Sequence, residues 1–129
     1  DLDTLHEDMG VLLFDADNDQ DLDLYVVSGG NEQKANTPYY QDRLYLNDGK
    51  AHFSLAKNAL PNLTSSGSCV ISADYDQDGD LDLFIGGRVI PHQYPLPPQS
   101  YLLRNDTQNE QVRFTSINPP QFNQLGMIT

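Results

Sequence analysis

Two stretches of the sequence alternate aspartate with other residues so densely that their carboxylates must meet. Residues 15–23 and residues 74–82 each carry five aspartates in nine positions. In an extended strand, this alternation would place all five charges on one face, where they would repel one another. A loop that curls around a divalent cation removes the repulsion, because carboxylate oxygens are the ligands that Ca²⁺ prefers. The predicted calcium ligands are Asp15, Asp17, Asp19, Asp21 and Asp23 in the first loop and Asp74, Asp76, Asp78, Asp80 and Asp82 in the second.

Position within each loop gives these aspartates different roles. We expect side-chain ligands from the first, third and fifth positions, a backbone carbonyl from the seventh, and a closing side chain from the ninth. The sixth position must turn sharply. Gly79 can take the positive φ that such a turn needs, whereas the first loop has Gln20 there. We therefore expect both loops to bind calcium and the first site to be the weaker.

The residues after each loop distinguish these sites from a helical EF-hand. An EF-hand needs a bidentate glutamate at position 12 and flanking helices. Position 12 is Val26 in the first loop and Ile85 in the second, and both lie in runs rich in β-branched and aromatic residues. An acidic, solvated turn is the alternative interpretation. Two copies with the same phase, each followed by an apolar run, favour calcium loops that lead into strands.

The two loops are 59 residues apart, and the similarity between the two halves extends beyond them. Short apolar runs precede each loop and follow it, and a further pair of runs comes after a long connection. In the first half, residues 47–50 contain Asp-Gly, which favours a hairpin with a tight primed turn. Each half therefore predicts four short antiparallel strands. A repeat of this kind and length is typical of β-propeller blades.

The Asp-x-Asp-x-Asp-Gly-x-x-Asp-Leu loop, followed by an apolar strand and Gly-Gly, resembles the FG-GAP (VCBS-type) repeat. Such repeats build the propeller of integrin α-subunits and of many bacterial surface and secreted proteins. Residues 87–91, 94–105 and 125–129 resemble the bacterial branch, whose propellers are often coupled to an ASPIC-type domain. The resemblance implies calcium on hairpin loops at the rim of a six- to eight-bladed propeller. It names no ligand, because one fold serves many functions.

The predicted fold class is therefore all-β, with two four-stranded antiparallel propeller blades from a larger propeller. Residues 1–59 form the first repeat, residues 60–124 the second, and residues 125–129 the start of a third. Two blades leave apolar faces without neighbours, since repeats bury their core only by stacking. We expect self-association through the open blade edges, with residues 125–128 adding a strand to a neighbouring unit.

Composition limits the possible partners. The net charge of −12 argues against nucleic acid, whose phosphates attract basic surfaces. No apolar run approaches the length of a membrane span. Ten of the nineteen acidic residues lie in the two loops, so the acidity is largely a property of the predicted metal sites. The lone Cys69 lies in an apolar run and is expected to be a small buried residue rather than a nucleophile.

Two classes of function remain open. The favoured one is a noncatalytic calcium-binding module, extracellular or at the cell surface, that binds a protein or a glycan. Tyrosines in the long connections, in residues 39–40 and 94–98, suit a recognition surface. The alternative is the propeller portion of a secreted enzyme acting on polysaccharide or another extracellular substrate. Outside the two loops, the acidic residues show no persuasive catalytic pair.

Overall fold

The computed structural model describes residues 6–126 and contains eight strands within them. The predicted start of a third repeat falls partly outside this range, because residues 127–129 are not described. Short 3-10 turns lie at Pro38–Tyr40 and Pro120–Gln124. The strands are β1 (Glu7–Phe14), β2 (Asp23–Gly29), β3 (Arg43–Asn47), β4 (Phe53–Leu55), β5 (Ser66–Ala73), β6 (Asp82–Val89), β7 (Tyr101–Asn105) and β8 (Phe114–Ser116).

The strands form two four-stranded antiparallel sheets, β1-β2-β3-β4 and β5-β6-β7-β8. This confirms the predicted all-β architecture of two propeller-type blades. Corresponding residues pair alike in both sheets, for example Phe14 with Asp23 and Ala73 with Asp82. Within residues 6–126, no helix has the length and apolar character needed to cross a membrane.

The hydrophobic core lies between the two sheets. Tyr25, Val27 and Leu44 of the first sheet and Leu83 and Ile85 of the second belong to one buried cluster. Consecutive residues of a strand point to opposite faces. The first sheet contributes residues 25 and 27 of β2, whereas the second contributes residues 83 and 85 of β6, which correspond to positions 24 and 26. The two repeats therefore stack with opposite faces in contact, as successive blades do.

Close approach of β5 to β2 depends on a glycine. A Cβ atom on Gly67 would come within 2.4 Å of Val27 Cγ1, so any side chain there would push the sheets apart. Beside it, the Ser66 hydroxyl donates a hydrogen bond of 2.7 Å to the backbone carbonyl of Gly30. Ser66 is fully buried, so this bond satisfies a polar group in the core and joins the two repeats.

The hairpin between β3 and β4 is confirmed, but the predicted tight primed turn is wrong. Five residues, 48–52, separate the strands. Side chains cap this wider turn: Asn47 Oδ1 accepts hydrogen bonds from the backbone N–H groups of Gly49 and Ala51, both at 3.1 Å. Asp48 Oδ1 accepts one from Lys50 N–H at 2.8 Å. Local side-chain acceptors therefore outweigh the preference of Asp-Gly for a two-residue turn.

A buried carboxyl group lies just before β3 and packs against the first sheet. Asp42 accepts a hydrogen bond from the Tyr25 hydroxyl at 2.7 Å and one from Ser28 N–H at 2.9 Å. Burial raises the pKa of Asp42 to about 7, although both hydrogen bonds and the charge of Arg43 act to lower it. The pKa of Tyr101 in the second sheet is raised by burial and by the Asp42 charge.

The buried pair gives a prediction for stability against pH. The unfolded Asp42 titrates near pH 4, so between about pH 4 and 7 the folded state holds more protons. The contribution of Asp42 to the free energy of unfolding is complete below this window. It is lost as pH rises through the window, at up to about 1.4 kcal/mol per pH unit. The second repeat has Phe84 and Ser100 at the corresponding positions. The variant Tyr25→Phe/Asp42→Ser is expected to lose the part of this slope that Asp42 contributes, as measured by urea unfolding between about pH 4 and 7. A slope equal to that of the wild-type protein would contradict the role of Asp42.

Candidate metal centre

The two aspartate loops occupy equivalent places in the two repeats. The first connects β1 to β2 and the second connects β5 to β6. They lie side by side: the Asn18 side-chain amide of the first loop donates a hydrogen bond to Asp80 Oδ1 of the second. Both loops are thus held at one edge of the stacked sheets, where the strands present them to solvent.

Each loop brings three carboxylates together. Oxygens of Asp15, Asp17 and Asp19 lie within 4.8 Å of one another, and the same holds for the second cluster. Ligand oxygens lie about 2.4 Å from a bound Ca²⁺, so oxygens on opposite sides of one ion are up to about 5 Å apart. The clusters therefore have the size of a calcium site. The second cluster consists of Asp74, Asp76 and Asp78.

The same hydrogen bonds shape both loops. The first aspartate, Asp15, accepts backbone N–H groups four and five residues later, at 3.2 and 3.0 Å. Asp74 does the same at 3.1 and 3.0 Å. The third aspartate, Asp19 or Asp78, accepts the N–H two residues later at 3.0 Å. These bonds curl the backbone so that the carboxylates converge.

The ninth position has a structural role that the spacing did not reveal. Asp23 is fully buried, and its two oxygens accept the N–H groups of Ala16 at 2.8 Å and Asn47 at 2.9 Å. Asp82 likewise accepts N–H groups of the second loop and of β7. Each carboxylate oxygen has a further lone pair, so these aspartates can also face a cation. With or without a bound cation, each of these aspartates connects its loop to the third strand of its sheet through hydrogen bonds.

Without a cation, the first loop concentrates negative charge. Burial raises the pKa of Asp17 to about 6, and the charges of Asp23 and Asp19 add to the effect. At the corresponding position of the second loop, burial and then the neighbouring aspartates raise the pKa of Asp76. The protein therefore holds these carboxylates where the ionised form is disfavoured, a cost that a bound divalent cation would offset.

Two oxygens of the first loop have no hydrogen-bond donor. Asp17 Oδ1 and Asp21 Oδ1 are shielded from solvent and unpartnered within the described part of the chain. Buried acceptors without donors are rare and costly. Asp21 was expected to offer only its backbone carbonyl, so its side chain is an additional candidate ligand. Asp17 belongs to the cluster of converging carboxylates, and an unsatisfied oxygen there fits a hard cation that coordinates through oxygen.

Left-handed backbone at two positions completes each turn. The sixth position has φ +76° at Gln20 and +98° at Gly79, as the turn chemistry predicts. The fourth position is also left-handed, with φ +63° at Asn18 and +61° at Gln77. A non-glycine residue in this region is strained by about 1–2 kcal/mol, somewhat less for asparagine. The first loop therefore takes the same path as the second despite Gln20.

Sequence spacing missed a second group of polar residues. A cavity of about 180 Å³ is lined by His6, Glu7, Glu32, Tyr39 and Tyr40, among others. The Tyr40 hydroxyl donates to the Gln33 carbonyl at 2.8 Å and accepts its N–H at 3.1 Å. The two glutamates come from β1 and from the long connection after β2. Only the fold brings them together, because no sequence pattern relates the two segments.

Comparison with known families identifies one match. The model of the FG-GAP-like repeat matches residues 15–85, which is more than half of the chain and includes both aspartate loops. Comparisons with curated proteins and with solved structures give no match. The matched region begins at the first candidate ligand and ends in β6, so it contains the loop-and-strand unit that defines each half of the structure.

The strain at Gln20 gives a prediction for the first loop. Gln20→Gly is expected to tighten calcium binding there by about 1 kcal/mol, which is about fivefold in the dissociation constant. Gly79→Gln is the matched reverse change. No atom lies within 4 Å of a Cβ placed on Gly79, so backbone strain is the main cost of that change. Isothermal titration calorimetry measures both. Unchanged affinities would show that the sixth position does not limit binding.

Proposed function

This chain belongs to the FG-GAP-like repeat family, and from that premise we propose that it is a noncatalytic calcium-binding module that recognises an extracellular protein or glycan. The family and the two stacked sheets make it a propeller-type repeat module. The observation that supports calcium most directly is the pair of unpartnered, shielded oxygens on Asp17 and Asp21. They lie in a loop whose carboxylates already converge to the size of one cation site.

Calcium suits these loops better than other common metals. The clusters contain only carboxylates, with no histidine or cysteine to favour zinc or copper. Mg²⁺ demands a stricter octahedral geometry and keeps several of its waters, whereas Ca²⁺ accepts six to eight oxygens in irregular arrangements. The second loop is largely exposed and the first is partly exposed, so solvent calcium can reach both. Extracellular modules bind calcium at the high concentrations found outside cells. An extracellular location is therefore part of the proposal.

A recognition role is supported by aromatic and apolar residues in the second long connection. Tyr94 is 76% exposed and Leu96 is 52% exposed. Tyrosine offers rigid contact area with a polar tip, which suits both protein and glycan surfaces. The carboxylates of Glu7 and Glu32, which line the cavity beside Tyr39, are exposed to solvent. Burial is what keeps a catalytic general acid protonated, and these exposed glutamates lack it, which supports the noncatalytic function against general-acid catalysis.

We also propose that the chain associates with further repeats through its outer faces. Val70 is buried between the sheets, but its counterpart in the first repeat, Val11, is 66% exposed. Conversely, Leu12 packs against the core, whereas its counterpart Ile71 is 59% exposed. Each outer face thus corresponds to a face that the other repeat covers. A second copy of the chain could stack on either face in the same head-to-tail manner.

Calcium is expected to stabilise the fold. A ligand that binds only the native state at 100 times its dissociation constant contributes about 2.7 kcal/mol per site. Thermal melts with millimolar calcium and with excess EDTA are therefore expected to differ clearly. The double variant Asp17→Asn/Asp76→Asn, one change per loop, is the matched control and should lose most of the difference. Equal melting temperatures of the wild-type protein in the two buffers would contradict the proposed calcium binding.

The stacking proposal predicts concentration-dependent association. Light scattering of the purified protein is expected to give a mass above that of one chain as concentration rises. Val11→Asp places a charge on one outer face, and desolvating it in a contact is costly, so this variant should shift the mass towards the monomer. Asn109→Asp, which adds the same charge at an exposed turn, is the control. A stable wild-type monomer at high concentration would refute association through these faces.

A further inference from the structure

One buried side chain contacts both aspartate loops. Asn105, at the end of β7, is 2% exposed. Its Nδ2 atom donates to the backbone carbonyl of Ala16 at 2.9 Å and to that of Leu81 at 3.2 Å. Ala16 is the second residue of the first loop, and Leu81 is the eighth residue of the second. The two hydrogens of one amide group are therefore divided between the two candidate metal sites.

The corresponding residue of the first repeat provides a natural comparison. Asn47, at the end of β3, donates from Nδ2 to the carbonyl of Leu22 at 3.1 Å, which is the equivalent of the Leu81 contact. Its backbone N–H donates to Asp23, just as that of Asn105 donates to Asp82. Both asparagines thus support the loop of their own repeat. Asn105 has the additional contact with the neighbouring repeat.

Other contacts limit how far the loops can move independently. At the surface, the amide of Asn18 donates to Asp80 Oδ1, so the loops are joined there as well as in the interior. Close by, the rings of Phe14 and Phe114 pack edge to face across the repeats, with centroids 6.2 Å apart. A shift of one loop backbone must therefore be accommodated at the other, since packed contacts of this kind are not freely deformable.

We propose that Asn105 is a positioning residue shared by the two loops, and that it couples calcium binding at one loop to calcium binding at the other. The inference rests on the proposed calcium function. Binding fixes the loop backbone around the ion, and Asn105 holds a carbonyl of each loop. Ordering the first loop therefore reduces the conformational freedom that the second must lose when it binds. The effect is reciprocal, as any coupling between two binding equilibria must be.

Site-resolved calcium titrations by NMR test this role in the intact chain. The backbone amides of Gln20 and Gly79 report the two sites separately. Asn105→Ala is expected to weaken both sites, each by about fivefold, the worth of one hydrogen bond. The matched variant Asn47→Ala is expected to weaken calcium binding at the first site, reported by Gln20, to a similar extent. Its effect on the second site, reported by Gly79, is expected to be smaller. An Asn105→Ala effect confined to Gly79 would overturn the shared role.

A second measurement leaves Asn105 intact, in case its removal prevents folding. Asp17→Asn disables the first site with one substitution in a loop. If the two sites are coupled, the calcium affinity reported by Gly79 is expected to fall by about threefold. The titration is done at physiological salt, which screens the charge that the substitution removes. No change at Gly79 would overturn the coupling. Wild-type protein without calcium-dependent shifts at either amide would refute both the coupling and the calcium function. Two independent titrations would refute the coupling alone.

Discussion

The buried carboxylate at the end of each aspartate loop is the constraint on which the rest of the structure depends. Asp23 and Asp82 each accept one N–H from their own loop and one from the third strand of their sheet. A buried carboxylate is tolerated only when such donors satisfy it. Those donors are available only if the loop curls back and the strands pair in register. Loop geometry and sheet geometry are therefore determined together.

This arrangement explains why the aspartate loops and the junction between repeats belong to one unit. Asn105 donates its backbone N–H to Asp82 and its side-chain amide to both loops. The residue that completes the second loop also contacts the first. The same few hydrogen bonds therefore stabilise the stacked sheets and hold the aspartate loops in their curled conformation. The chain has a net charge of −12, and ten of its nineteen acidic residues lie in these two loops.

Sequence reasoning predicted what is local and repeated. Eight strands, two loops and the left-handed turn at Gln20 followed from periodicity, spacing and turn chemistry. It could not predict contacts made across the repeats, such as the amide of Asn105 reaching Ala16, 89 residues away. The turn of residues 48–52 was mispredicted because side-chain acceptors on Asn47 and Asp48 compete with the backbone preference of Asp-Gly. A dipeptide pattern carries no information about that competition.

We propose that the chain uses its two aspartate loops to hold cations. A crystal structure of the protein grown with millimolar calcium tests it most directly. The account predicts one ion in each loop, bound by Asp15, Asp17 and Asp19 in the first and by the corresponding aspartates in the second, at about 2.3–2.6 Å. It also predicts that Asp17 Oδ1, now without a donor, contacts the ion. Loops that contain only water under these conditions would contradict the account.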